Sequence, residues 1–261
     1  MFEKHFGKTY KLILKEIEEK KGLVFLVIDP PDQSPEEAGV MAKLAEEAGI
    51  SAFAVGGSIG AQGSTLDKTI KEIKANSSLP VILFPGNIAT LSPKADAAYF
   101  MTMLNSRDPY YLSGAQTASS IPIKKMNLET IPTSYLVFEP GKAVGWVGQA
   151  NLIPRDVTYI GAAAALAGQY MGSHLIILES GSGAPSCVPP ENVKAISMVV
   201  DVPIIVAGGV KTPKMAEEVI SAGASIVHVG TAVDNVYKNK DKAAKLMKEF
   251  VLAARKGGKN R

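Results

Sequence analysis

The sequence contains a single cysteine, Cys187, so no intramolecular disulfide can form and a cysteine-based metal site is excluded. Histidine is also scarce, and the spacing of His5, His174 and His228 matches no metal-binding motif. No apolar run reaches the roughly 20 residues needed to span a bilayer. The first residues lack the apolar core of a signal peptide, so we expect a cytoplasmic protein.

The chain also lacks a large excess of charge of either sign, because 28 Lys and Arg residues nearly balance 25 Asp and Glu residues. The net charge of +3 is too small for a protein that binds nucleic acid through phosphate contacts, so we expect no nucleic-acid partner. Hydrophobic residues make up 46% of the 261 residues and charged residues 20%. This composition is typical of a folded globular protein and excludes global disorder.

Eight short apolar runs recur along the chain, and helical segments separate most of them. Each run is apolar enough to be buried on both faces, as strands of a parallel sheet are. The runs lie at residues 24–28, 52–55, 81–84, 97–101, 135–138, 175–178, 203–207 and 226–229. Eight such units in about 250 residues predict an α/β fold, with one (β/α)8 TIM barrel formed by residues 1–261. An open doubly wound sheet is the alternative.

Three segments depart from a regular repeat. Residues 1–20 carry an apolar helical face, which predicts an extra N-terminal helix before the first strand. The spacer after the third run, from Pro85 to Pro93, is short and rich in turn residues, so we expect the third helix to be replaced by a loop. Residues 255–261 predict a solvated basic tail, for which a weak, transient membrane-surface contact is a further hypothesis.

Functional groups of such barrels follow the strands, at the C-terminal mouth. Glycine turns follow strands seven and eight, and a glycine-rich segment follows strand six. These residues are Ser180, Gly181, Ser182, Gly183, Ala184, Gly208, Gly209, Gly230 and Thr231. One such turn alone would be interpreted as a tight connection. Together they predict a phosphate site, because backbone N–H groups in glycine turns can close on a phosphate.

Two carboxylates accompany the predicted phosphate site. Asp29 ends the first strand and, with the hydroxyl of Ser58, offers oxygen ligands to Mg²⁺, which also takes oxygens from substrate phosphates. A structural turn carboxylate is the alternative for Asp29, and we interpret Asp32 as a turn residue. Glu179 is a candidate to orient a substrate hydroxyl or accept its proton. Its alternative is a carboxylate that neighbouring backbone N–H groups satisfy.

In this order, these residues resemble the geranylgeranylglyceryl phosphate synthase family, the archaeal ether-lipid prenyltransferases related to bacterial heptaprenylglyceryl phosphate synthases. The resemblance covers nearly the whole chain. It rests on residues 29–30, 57–58, 84–87, 135–150, 178–184, 207–210 and 229–232. The Gly-Trp-Val-Gly segment around Trp146 is closest to the larger archaeal group, whose members assemble as dimers or hexamers. The resemblance therefore implies a homo-oligomer, with Trp146 as an interface candidate.

The resemblance implies a Mg²⁺-dependent transferase that joins the C3 hydroxyl of sn-glycerol 1-phosphate to the first carbon of geranylgeranyl diphosphate. It assigns Mg²⁺ to Asp29 and Ser58 and the attacking hydroxyl to Glu179. It assigns the glycerol phosphate to Ile177, Leu178, Glu179, Ser180, Gly181, Ser182, Gly183, Ala184, Gly208, Gly209, Gly230 and Thr231. For the prenyl chain we expect an apolar groove lined by Phe100, Tyr135 and residues 162–165.

Two positions depart from the family pattern. The family has Asp-Pro-Asp in the first turn, whereas this chain inserts Pro31 before Asp32, which leaves the role of Asp32 open. A tyrosine commonly stands where this chain has Ile177, so its phenolic contact is either lost or supplied by another residue. Three alternative functions also stay open: a sugar-phosphate isomerase or lyase, an enzyme with a longer prenyl donor, and a barrel that binds phosphate without turnover.

Overall fold

The computed structural model describes residues 6–57 and 59–260. Eight parallel strands form a closed barrel, in which β8 pairs with β1 and places His228 beside Phe25. The strands are β1 (Leu23–Ile28), β2 (Ala52–Gly57), β3 (Val81–Pro85), β4 (Ala97–Met103), β5 (Glu129–Val137), β6 (Leu175–Glu179), β7 (Ile204–Ala207) and β8 (Ile226–Val229). The predicted TIM barrel is confirmed, and the pairing of β1 with β8 excludes the open sheet.

Helices surround the barrel and begin where the sequence provides caps. They are α1 (Lys8–Lys20), α2 (Pro35–Ala48), α3 (Gly63–Asn76), α4 (Ala115–Met126), α5 (Lys142–Val147), α6 (Thr158–Tyr170), α7 (Pro190–Ser197), α8 (Pro213–Ser221), α9 (Thr231–Asp234) and α10 (Lys240–Lys259). The Ser34 hydroxyl accepts a hydrogen bond from Glu37 N at the start of α2, and Thr212 caps α8 in the same way. None of the helices in the described ranges is long and apolar enough to cross a membrane.

Strand residues alternate between two apolar clusters, because successive side chains of a strand point to opposite faces. Leu23 and Phe25 of β1 belong to the cluster inside the barrel. Val24 and Leu26 belong to the cluster between the barrel and its helices. This alternation decides which side chain at the end of each strand can reach a site in the barrel mouth.

The helix α1 packs against the end of the barrel opposite the mouth. Tyr10 and Ile13 join the inner cluster, and the Tyr10 hydroxyl donates to the carbonyl of His174, 2.9 Å away. The Glu129 carboxylate accepts from the N–H groups of Thr9 and Tyr10, both at 2.8 Å. Glu129 is also the first residue of β5, which begins earlier than the apolar run from 135 predicted. These hydrogen bonds attach α1 to β5 and to the segment that leads into β6.

Two predicted departures from the repeat have different outcomes. Residues 86–96 form turns without a helix, so the predicted replacement of the third helix by a loop is confirmed. The basic tail predicted for residues 255–261 is helical as far as Lys259, where α10 ends, and Lys256 and Lys259 are exposed, as expected of solvated charge. Arg261 lies outside the described residues. Gly257 and Gly258 are buried, and a Cβ at either position would overlap the main chain of Glu217 or Lys21. The missing side chains thus let the end of α10 pack closely.

Candidate active site

A cavity opens at the C-terminal mouth of the barrel, and its lining divides into a polar arc and an apolar arc. The polar arc comes from β1, β6, β7 and β8 and the turns that follow them. Its lining residues are Asp29, Glu179, Ser182, Gly183, Gly208, Gly209, Lys211, Gly230 and Thr231. Because β8 pairs with β1, these four strands are neighbours in the barrel. Most of the residues predicted to bind phosphate therefore lie on one side of the cavity.

Glu179 is the most buried polar residue of the polar arc, at 5% exposure. Its Oε1 accepts from the N–H of Gly181 at 2.6 Å, and its Oε2 accepts from the hydroxyl of Tyr135 at 2.9 Å. Burial raises the pKa of the Glu179 carboxyl, while the hydrogen bonds from Gly181 and Tyr135 oppose that rise. A carboxylate that is fixed in position and holds a proton more readily than usual suits proton transfer.

Tyr135 lies beside Ile177. The two residues are partners in the pairing of β5 with β6, and both lie in the inner cluster. The hydroxyl of Tyr135 donates a hydrogen bond to Glu179, so a phenolic group is present next to the position where the family pattern has a tyrosine. Burial also raises the pKa of the Tyr135 hydroxyl, with the charge of Glu179 as a further cause, so it stays a hydrogen-bond donor.

Asp29 lies at the end of β1, close to Gly57 of β2. A Cβ at Gly57 would be 3.1 Å from Asp29 Oδ1, so the carboxylate lies against the turn that leads into residue 58. Ser58 itself lies outside the described residues. Burial raises the pKa of Asp29 to about 7, and the neighbouring charges of Asp32, Asp234 and Glu179 act in the same direction. Burial and the neighbouring carboxylates therefore both disfavour the ionised form of Asp29.

The turns of the polar arc fit closely against each other. Gly208 has φ +71°, and a Cβ there would overlap Glu179 Oε1. The hydroxyls of Ser182 and Thr231 are 3.3 Å apart, which connects the loop after β6 with the start of α9. Position 208 therefore requires glycine for two reasons, the close approach of Glu179 and the positive φ of the backbone.

The apolar arc is built around β4 and α4. Both faces of β4 contribute, since Tyr99 and Met101 pack with the inner cluster whereas Phe100 packs with the outer one. Ile123 of α4 lines the same apolar arc, whose extension toward α4 we call the apolar arm. The cavity therefore extends from the barrel interior into the layer outside β4. The loop at 86–96, which replaces a helix, contributes Ile88 and Leu91 to this lining.

The structure separates the predicted site residues. Ser182, Gly183, Glu179, Gly208, Gly209, Gly230, Thr231 and Asp29 line the cavity. Ile177 faces the barrel interior below it, and Leu178 lies in the outer cluster, because neighbouring strand residues point to opposite faces. Ser180, Gly181 and Ala184 are buried behind the lining. Phe100 and Tyr135 line the cavity as expected, whereas the segment 162–165 belongs to α6 and contributes nothing to its lining.

Several lining residues were missed from the sequence. Lys211 follows the Gly208-Gly209 turn and is the only Lys or Arg side chain among the described residues that line the cavity. Its position two residues after a predicted phosphate turn was an available signal. Tyr111, Val144 and Val147 also line the apolar arc. Tyr111 lies in a π-helical turn (Tyr110–Gly114) that precedes α4, and no sequence pattern indicated it. Val144 and Val147 belong to α5, within the segment on which the family resemblance rests, but the resemblance assigned them no role.

A family model described as the PcrB family matches residues 15–251 of this sequence. The chain belongs to the PcrB family. Geranylgeranylglyceryl phosphate synthase from Pyrococcus horikoshii is 50% identical over 234 residues, which cover 90% of this chain and 92% of that protein. The enzyme of the same name from Methanosphaera stadtmanae is 46% identical over 228 residues, which cover 86% of this chain and 93% of that protein.

Solved structures agree with this PcrB family assignment. The chain matches a crystal structure of (S)-3-O-geranylgeranylglyceryl phosphate synthase from Thermoplasma acidophilum in complex with sn-glycerol-1-phosphate. The TM-score is 0.87 at 36% identity, covering 94% of this chain and 98% of that one. Tryptophan synthase from M. tuberculosis, at 12% identity and a TM-score of 0.63, shares the fold alone. Family membership and barrel architecture thus support each other.

Proposed function

We propose that this PcrB family member transfers a geranylgeranyl group from its diphosphate to the C3 hydroxyl of sn-glycerol 1-phosphate. The observation that carries the proposal is the position of Glu179, a buried carboxylate between the glycine turns and the apolar arm of one cavity. The glycine turns suit a small phosphorylated acceptor, and the apolar arm suits a long prenyl chain. The named relatives and the complex with sn-glycerol-1-phosphate support this assignment.

In this proposal Glu179 is the general base. The C3 oxygen of the glycerol phosphate attacks the first carbon of the prenyl group, the bond from that carbon to the diphosphate oxygen breaks, and the hydroxyl proton passes to Glu179. The hydrogen bonds from Gly181 and Tyr135 hold the carboxylate in place. Burial raises the pKa of Glu179, which makes it a better proton acceptor than an exposed carboxylate.

Mg²⁺ is the cofactor of the proposal, and Asp29 with Ser58 would hold it. Within the described ranges no three His, Cys, Asp or Glu side chains are arranged to hold a metal ion. A single carboxylate still fits Mg²⁺, which is commonly bound through one or two carboxylates together with substrate phosphates. Asp29 meets this need, since its buried carboxyl lies among other acidic groups whose charges a cation would offset. When bound, Mg²⁺ supplies charge neutralisation on the departing diphosphate.

The assembly and location of the protein belong to the proposal as well. Trp146 on α5 is 83% exposed, which supports its predicted role as an anchor between subunits of a homo-oligomer. The basic tail at residues 255–261, of which Lys256 and Lys259 are exposed in the described part, is the site we propose for a transient membrane-surface contact. A cytoplasmic location remains a prediction from the sequence.

The decisive experiment measures product formation with Mg²⁺ and geranylgeranyl diphosphate, comparing sn-glycerol 1-phosphate with sn-glycerol 3-phosphate. We expect prenylation of the 1-phosphate alone, abolished by EDTA. Faster reaction with a longer prenyl diphosphate would favour the heptaprenyl alternative. No product from either acceptor, with donors of several lengths and a folded protein, would contradict the proposal and favour a different sugar-phosphate enzyme.

The metal assignment has its own test in the Asp29→Asn variant. We expect this variant to lose Mg²⁺-dependent turnover while its thermal unfolding stays normal, because one ligand oxygen loses its charge. Asp241→Asn is the control, since Asp241 is an exposed carboxylate in the first turn of α10 and does not line the cavity. Full activity of Asp29→Asn would show that Asp29 does not hold the metal.

A further inference from the structure

Arg155, in the segment between α5 and α6, donates four hydrogen bonds to two loops of the barrel mouth. Its Nη1 donates to the carbonyl of Glu139 at 3.0 Å and to the Ser180 hydroxyl at 3.4 Å. Its Nη2 donates to the Ser186 hydroxyl at 2.9 Å and to the Cys187 carbonyl at 2.5 Å. The planar guanidinium therefore connects the end of β5 with the loop that follows β6.

The backbone of Arg155 is also fixed by a hydrogen bond. Asn192, a fully buried residue of α7, donates from Nδ2 to the Arg155 carbonyl, 2.6 Å away. Arg155 is thereby attached to α7 through its backbone and to the two loops through its side chain. Contacts at both the backbone and the guanidinium limit the conformational freedom of the Arg155 side chain.

Three of the four hydrogen bonds hold one segment, the loop after β6, at two points. Ser180 begins this loop, and Ser186 and Cys187 lie near its other end, whereas Ser182 and Gly183 between them line the cavity. Gly209 of the β7 turn lies against the far end of this loop, where a Cβ would approach the main chain of Ser186 to 2.5 Å. The position of the loop end therefore also sets the distance between the loop after β6 and the turn after β7.

We infer that Arg155 is a positioning residue for the phosphorylated acceptor, an inference that rests on the proposed function. Arg155 does not line the cavity in the described part of the chain, so it acts through the loop and not on the substrate. By holding Ser180 and Ser186 it fixes the backbone of residues 181–184 opposite the turns after β7 and β8. The four acceptors of the guanidinium all lie outside the apolar arm around β4.

The test compares Arg155→Ala with the wild-type protein, with Mg²⁺ and both substrates varied. We expect KM for sn-glycerol 1-phosphate to rise about tenfold or more, with KM for geranylgeranyl diphosphate changed less than about twofold. Arg155→Lys should recover only part of the loss, since an ammonium group cannot reach all four acceptors in the guanidinium geometry. The matched control is Arg107→Ala. Its guanidinium donates to Asn151 Oδ1 at 2.8 Å, in an exposed pair.

Equal rises in KM for both substrates, or the same rise in Arg107→Ala, would overturn the inference. If Arg155→Ala does not fold, Ser186→Ala decides, because it removes one acceptor only. A rise in acceptor KM alone supports the inference, and unchanged values overturn it.

Calorimetric binding of inorganic phosphate separates the two proposals. If the wild-type protein shows no prenyltransferase activity but Arg155→Ala binds inorganic phosphate more weakly than wild type, the proposed function is rejected and the positioning role of Arg155 is kept.

Discussion

The two arcs of the cavity are built on different physical principles. The polar arc relies on backbone turns and a few fixed groups, such as Glu179, whose two oxygens are both held. The apolar arc relies on side-chain surface, such as that of Phe100 and Met101. Hydrogen bonds depend on distance and angle, whereas apolar burial depends mainly on area. The comparison teaches that the polar arc should tolerate few substitutions and that the apolar arc should respond gradually.

Glu179→Gln is expected to have the largest effect. Loss of the general base should lower kcat by about 10²- to 10⁴-fold, while binding of the prenyl donor changes little. The measurement is steady-state turnover with both substrates saturating. Glu139→Gln is the control, since Glu139 is an exposed carboxylate on the neighbouring loop. Turnover of Glu179→Gln within a few-fold of wild type would remove Glu179 from the chemistry.

Lys211→Met tests whether the polar arc also uses charge. Lys211 lines the cavity beside the glycine turn, so its loss should raise KM for sn-glycerol 1-phosphate about tenfold, at constant KM for the donor. The control is Lys214→Met, three positions along the chain. Lys214 forms an exposed ion pair with Glu218 at 3.7 Å, away from the cavity lining. The same KM in both variants would mean that backbone groups alone bind the phosphate.

Phe100→Ala examines the apolar arc. Removing part of its lining should raise KM for geranylgeranyl diphosphate about fivefold and leave KM for the acceptor unchanged. Met171→Ala is a control, because Met171 is an apolar side chain that is 73% exposed outside the cavity. An acceptor-specific defect in Phe100→Ala would contradict the division of the cavity into two arcs.

His228 lines the cavity from β8, and we expect its titration to affect stability. Its Nε2 is 3.1 Å from the Tyr99 hydroxyl, and its Nδ1 has no hydrogen-bond partner in the described part of the chain. Burial lowers the pKa of His228 from 6.5 to about 3. Between these values the unfolded chain binds a proton that the folded protein does not. Stability is therefore fully present above pH 6.5 and falls with pH, by up to about 1.4 kcal/mol per pH unit.

The measurement is denaturant unfolding of wild type and His228→Phe across this pH range. The unfolding free energy of wild type should fall relative to that of the variant as the pH falls, because phenylalanine carries no titrating group. A difference between the two proteins that stays constant with pH would mean that His228 is protonated in the folded protein as well. In that case the region beneath both arcs is polar rather than dry.

Local features made much of the fold predictable. The caps at Ser34 and Thr212 and the eight apolar runs depend on neighbouring residues, so the chain order alone indicates them. The alternation of strand residues would also have separated Leu178 from Glu179, although the resemblance placed both in the glycerol phosphate site. The glycine turns at Gly208 and Gly230 were predictable for the same reason, because their positions follow directly from the ends of strands.

Other parts of the site depend on pairing between distant segments. Tyr135 reaches Glu179 only because β5 and β6 are in a register that places Tyr135 beside Ile177. The sequence also offered residues 162–165 for the apolar groove, although α6 packs elsewhere. Apolar residues of the core and of a groove have the same composition, so no sequence pattern distinguishes them.

The sequence by itself determined the order of the eight strands, the α/β class, the missing third helix and the glycine turns, since these follow from local backbone preference and periodicity. The closure of the sheet into a barrel was decided by the pairing of β1 with β8. Only the tertiary structure decided the partner of Glu179, the raised pKa of Asp29, the course of the apolar arm and the hydrogen bonds of Arg155. Their common cause is distance in the chain. Burial, strand register and long-range hydrogen bonds arise when the barrel closes and remote segments share one environment.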